Sequence, residues 1–366
     1  MKVVCTQENL KIGLLAVGRI ISPNNSLPIL NNILLKTENG QLTLSSTNLE
    51  IAITTQIRCK IEEEGGITVF SKTITDLINN LPNKNIILEN TEQNLQINTE
   101  NFKTTIKTLP IEDFPLIPQI ENNQKLTINS QLFKKSLDQV IFATSNNQTQ
   151  PEISGVLLLI NKLQLTVTAT DRYRLSEKTI NTQKSIDEQT QVIIPHKTIQ
   201  ELSRIIGVVN EDMEIVIGDT QISFLVGQTN LISRLIEGQY PDYKQIIPEK
   251  FSTTIVTEKQ PLINALKTGG IFSQNNNSIS INYDSEKQKL ILTSESQDLG
   301  KSVVDLPSKI EGVGGFLTLN HKYILDCLSV IDSKNIIFKI TNENSPTLIL
   351  PEEQNNYMYL VMPIKG

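Results

Sequence analysis

Three stretches of this chain repeat one pattern at a regular interval. In each, a lysine is followed two residues later by an isoleucine, and two residues after that by an acidic residue. The lysines stand at two equal steps of 125 residues and are Lys72, Lys197 and Lys322. A unit of this length is far longer than a solenoid repeat and is long enough to bury a core of its own. We therefore predict three successive domains of one fold.

Each repeat carries the same series of predicted elements. Residues 9–19, 130–142 and 259–272 place apolar residues at helical spacing and predict a first helix. A second helix is predicted to begin at each repeated lysine. Between the helices, alternating polar and apolar residues, as at 41–45 and 164–168, predict half-buried antiparallel strands. The predicted fold class is α+β, with three tandem copies of a domain in which two helices pack on antiparallel sheets.

The period also predicts the domain boundaries. Phe114-Pro115 and Tyr240-Pro241 stand 126 residues apart, and each is followed by a polar connector that contains proline. A short connector of this kind is typical of the link between two domains. We place the three domains at residues 1–124, 125–253 and 254–366.

The composition is that of a soluble globular protein. Hydrophobic residues make up 38% and charged residues 20% of the 366 residues. No apolar run is long enough to span a bilayer, and the first residues turn polar too soon for a secretory signal. The cysteines Cys5, Cys59 and Cys327 lie far apart, without the paired spacing of zinc ligands. We therefore expect a cytoplasmic protein with free thiols, no metal site and no membrane contact.

The sequence offers few residues for catalysis. Its two histidines, His196 and His321, lie 125 residues apart, each directly before a repeated lysine, so they occupy one position in two copies. A nucleophile–histidine–acid arrangement would have to use one of them alone. The glycine pairs lack the spacing and the lysine of a phosphate-binding loop. We predict a non-catalytic protein without a cofactor, and an unusual hydrolase is the most distant alternative.

The chain is acidic overall but carries cations on its predicted helices. A net charge of −6 and a pI near 5.3 argue against a protein that binds nucleic acid through a generally basic surface. A single lysine at a helix start is ordinarily a solvated side chain, and it is slightly unfavourable to the helix dipole. Its recurrence in three copies predicts a shared basic surface, for which a phosphate backbone is the natural partner. The residues predicted to face DNA are Lys11, Arg19, Lys72, Lys134, Lys135, Lys197, Arg204, Lys267 and Lys322.

Four further motifs occur at residues 27–30, 169–175, 238–243 and 361–364. In this order, on a threefold repeat of this length, they resemble the bacterial sliding-clamp family, the beta subunits of DNA polymerase III. The resemblance covers essentially the whole chain. It implies that two chains join head to tail in a closed ring of six domains, with twelve helices around the hole. It also implies a non-catalytic subunit that encircles duplex DNA and holds the polymerase on it.

The resemblance further implies a pocket for partner proteins at the junction of the second and third repeats. Such a pocket accepts a short peptide with apolar anchors from the polymerase alpha subunit, the clamp loader and other proteins. The alternative is that residues 170–174 are only a strand end with a charged turn, for which the first repeat has residues 47–50. The predicted pocket residues are Ile153, Thr170, Arg172, Tyr173, Arg174, Leu175, Pro241, Ile246, Asn320, Tyr323, Met362, Pro363 and Ile364.

Ring closure brings the first repeat of one chain against the third repeat of the other. The positions that match this interface in the family are Thr104 and Ile106 against Ile271 and Phe272. Ordinary core packing explains these apolar residues as well. If they do form the interface, Ile106 and Phe272 are expected to be exposed in a single chain.

Some positions depart from the family pattern. The loop at residues 23–25 has no basic residue to contact DNA, and the segment 275–279 lacks an arginine–glycine element. Gln150 and Gln245 stand where arginines are expected around the pocket. These departures leave open the DNA contact of the loop and the charge at the pocket rim. The alternative from another class is a repeat-built, β-rich scaffold or adhesin that binds proteins and does not enclose DNA.

Overall fold

The computed structural model describes residues 1–22, 27–91, 94–118, 120, 124–147, 149–207, 211–273 and 276–364, with the backbone alone for 183–188. The chain forms two compact bodies. The first consists of Met1–Phe133 with Lys197–Leu235, and the second of Lys134–His196 with Ile236–Gly366. The second repeat therefore contributes one part to each body.

Two α-helices belong to each sequence repeat, as predicted. In α4, for example, Ile199, Leu202 and Ile206 are buried at spacings of three and four residues, while Lys197 and Arg204 are exposed. A 3-10 turn follows α1 and another follows α3, and these turns cover the last residues of the predicted windows. The helices of the described chain are α1 Gln7–Val17, α2 Ser71–Asn80, α3 Ser130–Asp138, α4 His196–Ile206, α5 Lys259–Ile271 and α6 His321–Val330.

The strands are rich in β-branched residues and alternate between buried and exposed positions. The strands of the described chain are β1 Lys2–Thr6, β2 Asn32–Glu38, β3 Gln41–Thr47, β4 Ile51–Ile57, β5 Lys60–Glu63, β6 Gly66–Phe70, β7 Asn85–Thr91, β8 Asn94–Asn98, β9 Lys103–Leu109, β10 Gln124–Asn129, β11 Gly155–Thr170, β12 Arg174–Pro195, β13 Asp212–Ile217, β14 Gln221–Val226, β15 Thr229–Arg234, β16 Thr253–Glu258, β17 Ser278–Asp284, β18 Lys289–Ser296, β19 Gly300–Pro307, β20 Lys309–Gly312, β21 Gly315–Asn320, β22 Asn335–Ile340, β23 Thr347–Pro351 and β24 Tyr357–Val361.

The first body is built on one 13-stranded sheet in the order β10-β13-β14-β15-β4-β3-β2-β6-β9-β8-β7-β1-β5. The paired strands run antiparallel. Strand β15 of the second repeat pairs with β4 of the first, from Thr229 opposite Thr55 to Ser233 opposite Ile51. This pairing makes the sheet continuous across the two repeats. The buried faces of α1 and α2 pack against the strands of the first repeat.

The second body contains a seven-stranded sheet in the order β11-β12-β24-β23-β22-β16-β20 and a four-stranded sheet in the order β19-β18-β17-β21. Strand β24, near the end of the chain, lies between β12 of the second repeat and β23 of the third. It joins the second and third repeats as β15 joins the first and second. Helices α5 and α6 contribute Leu262, Leu266, Ile324 and Leu328 to the hydrophobic core of this body.

The compact bodies follow the continuity of the sheets, whereas the predicted boundaries at residues 124 and 253 follow the sequence period. Those boundaries therefore stay a prediction. Within the described residues, no helix combines the length and the apolar character needed to cross a bilayer.

Candidate partner pocket, helix faces and strand edges

A tight turn between β11 and β12 lies at the centre of the predicted pocket. Thr170 Oγ1 donates to the carbonyl of Arg174 at 2.7 Å and accepts the backbone N–H of Arg172 at 3.2 Å. The carboxylate of Asp171 accepts the backbone N–H groups of Tyr173 and Arg174, both at 3.0 Å. These four hydrogen bonds are made by residues 170 and 171, and they hold the turn whatever side chains follow. The turn presents Arg172 and Tyr173 to solvent, and Tyr173 is 63% exposed.

Arg174 points away from solvent and ties the turn to two other elements. Its Nε donates to Asp171 at 2.9 Å, its Nη1 to Asp326 on α6 at 2.6 Å, and its Nη2 to the carbonyl of Phe142 at 2.8 Å. The guanidinium carbon also lies 4.4 Å from the ring centroid of Tyr323. The side chain is only 12% exposed. Arg174 therefore fixes the position of the turn relative to α6 and Tyr323. Because its N–H groups already donate within the protein, it is poorly placed to bind a ligand directly.

The cavity beside this turn has a volume of about 510 Å³. The chain end closes it, because the N–H of Met362 donates to the carbonyl of Tyr173 and the N–H of Ile364 to that of Thr318, both at 2.8 Å. At the start of α6, the side chain of Asn320 caps the helix by accepting the N–H of Lys322 at 3.0 Å. The residues around the cavity are Arg172, Tyr173, Asn276, Asn320, Tyr323, Met362, Pro363 and Ile364.

The other predicted pocket residues do not line this cavity. Ile153 and Leu175 are buried in a cluster of apolar residues against which Met362 packs, so they support the wall from behind. Pro241 and Ile246 are exposed and stand outside the lining, and their place in a peptide groove stays a prediction. The rim residue Gln245 donates to Asp242 at 2.8 Å. The loop at residues 23–25 lies outside the described residues.

Asn276 lines the cavity but was not among the predicted pocket residues. It follows α5 in the third repeat, a segment in which the sequence showed only that an arginine–glycine element was missing. Nothing in its residue type or spacing points to a pocket. Its proximity to Arg172 and Tyr173 comes from tertiary packing alone.

The cations predicted to face DNA differ in their exposure and in whether an acidic side chain pairs with them. Lys72, Lys197 and Lys322 are exposed at the second residue of α2, α4 and α6. Lys134 pairs with Asp138 at 2.6 Å and Lys135 with Asp332 at 3.6 Å, so their charge is partly neutralised. Arg204 pairs with Glu201 at 2.6 Å. Arg19, Arg204 and Lys267 are exposed and Lys11 is half-buried. Their convergence on one surface stays a prediction.

Several strands in the described part of the chain have an unpaired backbone edge, and two of them, β9 and β19, lie at the residues predicted for the interface: β9 contains Thr104 and Ile106, and β19 packs beside α5. Strand β9 meets β6 only at Leu109 and Thr108, so no strand lies beside its residues 103–107 on that side. Strand β19 lies at the end of the four-stranded sheet. Open strand edges of this kind readily pair with another chain.

The structure corrects one expectation about the interface residues. Ile271 is 65% exposed at the end of α5, and Thr104 and Phe272 are half-buried. Ile106, however, is only 7% exposed, because its side chain turns toward the core beside Leu95 of β8. The prediction that Ile106 is exposed in a single chain is therefore wrong.

The two histidines occupy equivalent packing positions. The Nδ1 atom of His196 lies 2.7 Å from Oγ1 of Thr144, and burial lowers the pKa of this histidine. His321 Nδ1 donates to the carbonyl of Asn277 at 2.8 Å, and the ring fills the space above Gly270, where an added Cβ would lie 2.6 Å from Nε2. Among the described residues, no three acidic, histidine or cysteine side chains are grouped so as to hold a metal ion.

Comparison with known proteins places the whole chain in one family. Sequence models of the DNA polymerase III beta subunit match residues 1–118 with its N-terminal domain, 127–242 with its central domain and 244–365 with its C-terminal domain. The chain belongs to the DNA polymerase III beta subunit family. Members of this family are sliding clamps, the non-catalytic processivity subunits of the polymerase. The predicted fold of three tandem clamp domains is thereby confirmed.

Relatives of similar length share sequence and fold with this beta subunit family member. The beta sliding clamp of Synechocystis sp. is 31% identical over 388 residues, which cover 100% of this chain and 99% of that protein. The beta sliding clamp of Staphylococcus aureus is 28% identical over 358 residues, covering 95% and 94%. The crystal structure of the DNA polymerase III subunit beta from Pseudomonas aeruginosa has a TM-score of 0.95 and 27% identity, and covers 100% of both chains. The sliding clamp of Bacillus subtilis has a TM-score of 0.96 and 25% identity, and covers 100% of this chain and 99% of that one.

Proposed function

We propose that this chain is a replicative sliding clamp that encircles duplex DNA as a head-to-tail homodimer in the cytoplasm. The observation that supports it most directly is the likeness to beta sliding clamps over the full chain, in both sequence and fold. The clamp tethers the polymerase alpha subunit, the clamp loader and other partners, and it has no catalytic activity of its own.

The exposed helix cations suit attraction to DNA without sequence recognition. Lys72, Lys197 and Lys322 recur at one helical position, and a lysine ammonium contacts phosphate as a point charge. With a net charge of −6, the charges outside these helix positions are acidic on balance, so we expect attraction to DNA to depend on the helix faces. A clamp that must slide gains from weak, salt-sensitive contacts to phosphate and from none to the bases.

The unpaired edges of β9 and β19 suit closure of the dimer. Pairing β9 of one chain with β19 of the other would satisfy both rows of backbone groups and extend the sheets across the interface. Exposed apolar side chains lie close to both edges, with Phe102 50% exposed just before β9 and Ile271, Leu299 and Val303 on the other side. Their burial in the dimer would remove apolar surface from water.

The cavity beside residues 170–174 suits a short peptide with apolar anchors. Its wall combines apolar surface from Met362, Pro363 and Ile364 with the polar groups of Asn276 and Asn320. A site of about 510 Å³ holds a few side chains. For a peptide with so few anchors we expect an affinity on the order of micromolar.

Topological binding can be measured on linear duplex DNA with biotin at both ends. The protein is mixed with the DNA, streptavidin is added to block the ends, and a restriction enzyme then cuts inside the duplex. We expect the clamp to stay on blocked DNA at raised salt and to leave it after the cut. A protein that remains on cut DNA with free ends binds by contact and does not encircle. That result would favour the alternative of a protein-binding scaffold that does not enclose DNA.

A further inference from the structure

We propose that Arg172 makes the partner pocket selective for peptides that carry an aspartate or glutamate beside their apolar anchors. This inference rests on the proposed function of the pocket as a peptide site. It attributes the preference of the pocket for acidic peptides to the side chain of Arg172.

Arg172 is the one formally charged residue among the described residues that line the cavity. The remaining lining residues are two tyrosines, two asparagines and the apolar end of the chain. Within the described chain, the guanidinium of Arg172 has no hydrogen bond or ion pair, whereas its backbone N–H is bound by Thr170. The described lining residues therefore include one positively charged side chain and no negatively charged one.

The carboxylates of Asp171 in the turn and Asp326 on α6 are already engaged by another arginine. Asp171 accepts the Nε of Arg174 at 2.9 Å, and Asp326 accepts its Nη1 at 2.6 Å. The pair with Asp171 is largely buried, since the two side chains are 12% and 15% exposed, whereas Asp326 is 46% exposed but already bonded to Arg174. Arg172 is exposed, and none of the described acidic residues forms an ion pair with it.

The backbone of the turn gives no reason for an arginine at this position. Arg172 has a φ of 78°, in the left-handed region, where glycine or asparagine is accommodated with less strain. The equivalent turn in the first repeat places Leu49 at a φ of 74°. There Thr47 accepts the N–H of Leu49 at 3.0 Å, as Thr170 accepts that of Arg172. The same turn thus forms around an uncharged residue.

A carboxylate is the partner that the guanidinium fork matches best. Two parallel N–H···O bonds fix the orientation of a carboxylate, and an ammonium does not reproduce this geometry. Because Arg172 is at the solvent edge, one such pair is expected to change peptide affinity only about two- to fivefold. The gain should fade at high ionic strength, where exposed charges are screened.

The test uses pairs of short fluorescent peptides of the glutamine–leucine–phenylalanine type. In each pair, one non-anchor position carries either aspartate or asparagine, and every such position is taken in turn. Dissociation constants are measured by fluorescence anisotropy at low and at high salt. The variants are Arg172→Asn, which removes the charge with a residue that tolerates positive φ, and Arg172→Asp, which reverses it. Leu49→Asn, at the equivalent turn of the first repeat, is the matched control, and thermal melting verifies that each variant is folded.

We expect aspartate at one or more positions to bind the wild-type protein about two- to fivefold more tightly than asparagine at low salt. Arg172→Asn should remove the difference, Arg172→Asp should reverse it, and Leu49→Asn should leave it unchanged. Equal affinity for both members of every pair overturns the role of Arg172, and so does a preference that persists in Arg172→Asn. If no peptide binds the wild-type protein, the peptide pocket itself is refuted. This outcome is distinct from the failure of the role proposed for Arg172.

Discussion

At the scale of single residues, Arg174 shows how a buried charge shapes a binding surface. It joins Asp171 in the turn, Asp326 on α6 and the carbonyl of Phe142, and its guanidinium lies over the ring of Tyr323. Tyr323 in turn lines the cavity. The arginine is thus a positioning residue, which acts on a ligand through the wall that it holds.

Replacing Arg174 with methionine should destabilise the protein and weaken peptide binding together. The change leaves Asp171, 15% exposed, without its cation, and loss of one partner of such a pair costs about 3 kcal/mol. Thermal melting and peptide anisotropy measure the two effects. Lys287→Met is the control, because Lys287 pairs with Asp284 but is 73% exposed, and loss of such an exposed pair should change stability very little. Equal melting temperatures for the two variants would contradict the positioning role.

Glu177 should make the stability of the protein depend on pH. Its carboxylate accepts the hydroxyl of Tyr243, and burial raises the pKa of Glu177 despite that bond and the nearby Lys244. A raised pKa in the folded state means that this group stabilises the fold below its unfolded pKa, near 4, and that the contribution is lost as the pH rises through the folded pKa.

Glu177→Gln should therefore melt at a higher temperature than the wild type near neutral pH. The amide oxygen still accepts the Tyr243 hydroxyl, but no charge is buried. The difference should shrink as the pH approaches about 4, where the wild-type carboxyl is protonated. Melting curves across this range measure it. A variant that is less stable than the wild type at neutral pH would show that the carboxylate charge is favourable where it lies.

At the scale of elements, the open edges of β9 and β19 concern assembly. Strand β8 pairs with β9 at five positions, but β6 covers only the last two residues of β9. An uncovered edge of this length exposes unpaired N–H and C=O groups, and proteins ordinarily protect such edges. Ile271, 65% exposed at the end of α5, adds apolar surface on the β19 side. Pairing of the two edges between chains, as proposed, would give each of them a neighbouring strand.

Ile271→Asp should convert a dimer into a monomer without unfolding it. The side chain is exposed in a single chain, so a carboxylate is tolerated there, whereas burial at an interface would leave that charge unpaired. Sedimentation velocity at micromolar concentration distinguishes the two states, and circular dichroism verifies the fold. Val313→Asp is the matched control, because Val313 is 68% exposed on the loop between β20 and β21. A monomeric wild type, or a variant as dimeric as the wild type, would count against the interface.

At the scale of the whole molecule, the three sequence repeats each place an exposed lysine at the same helical position. A single exposed ammonium contributes little to DNA binding, but three per chain give six in a dimer, and each neutralised phosphate adds to the salt dependence. The acidic character of the chain as a whole makes the position of these cations decisive.

Changing Lys72, Lys197 and Lys322 together to Glu should weaken DNA retention about tenfold at low salt and flatten its salt dependence. The expected loss is independent of DNA sequence, because the lysines meet phosphates. A control with Lys60, Lys287 and Lys309 changed to Glu alters the net charge equally at exposed positions outside the helices. Retention on end-blocked DNA at several salt concentrations measures both proteins. Equal losses in the two would show that net charge, and not the helix faces, governs binding.

Local signals in the sequence predicted the helices, the exposure of their lysines and the turn at residues 170–174. Helical spacing identifies which face is buried, so the exposure of Lys72, Lys197 and Lys322 follows from the pattern alone. Packing depends instead on residues far apart in the chain. For that reason the burial of Ile106 contradicted the prediction, and Asn276 in the cavity wall was not predicted.

The sequence by itself determined the threefold repeat, the fold class and the family. Periodicity and motifs can be read along the chain without knowing which residues are in contact. Only the tertiary structure decided how the strands join. Strand β15 continues the sheet of the first repeat and β24 connects β12 with β23, so the compact bodies cross the sequence repeats. It also decided that Arg174 bonds to Asp326, 152 residues away, while the side chain of Arg172, two positions earlier, has no partner in the described chain. The two arginines look alike in sequence, and their roles differ because only strand pairing and helix packing bring carboxylates to one and not to the other.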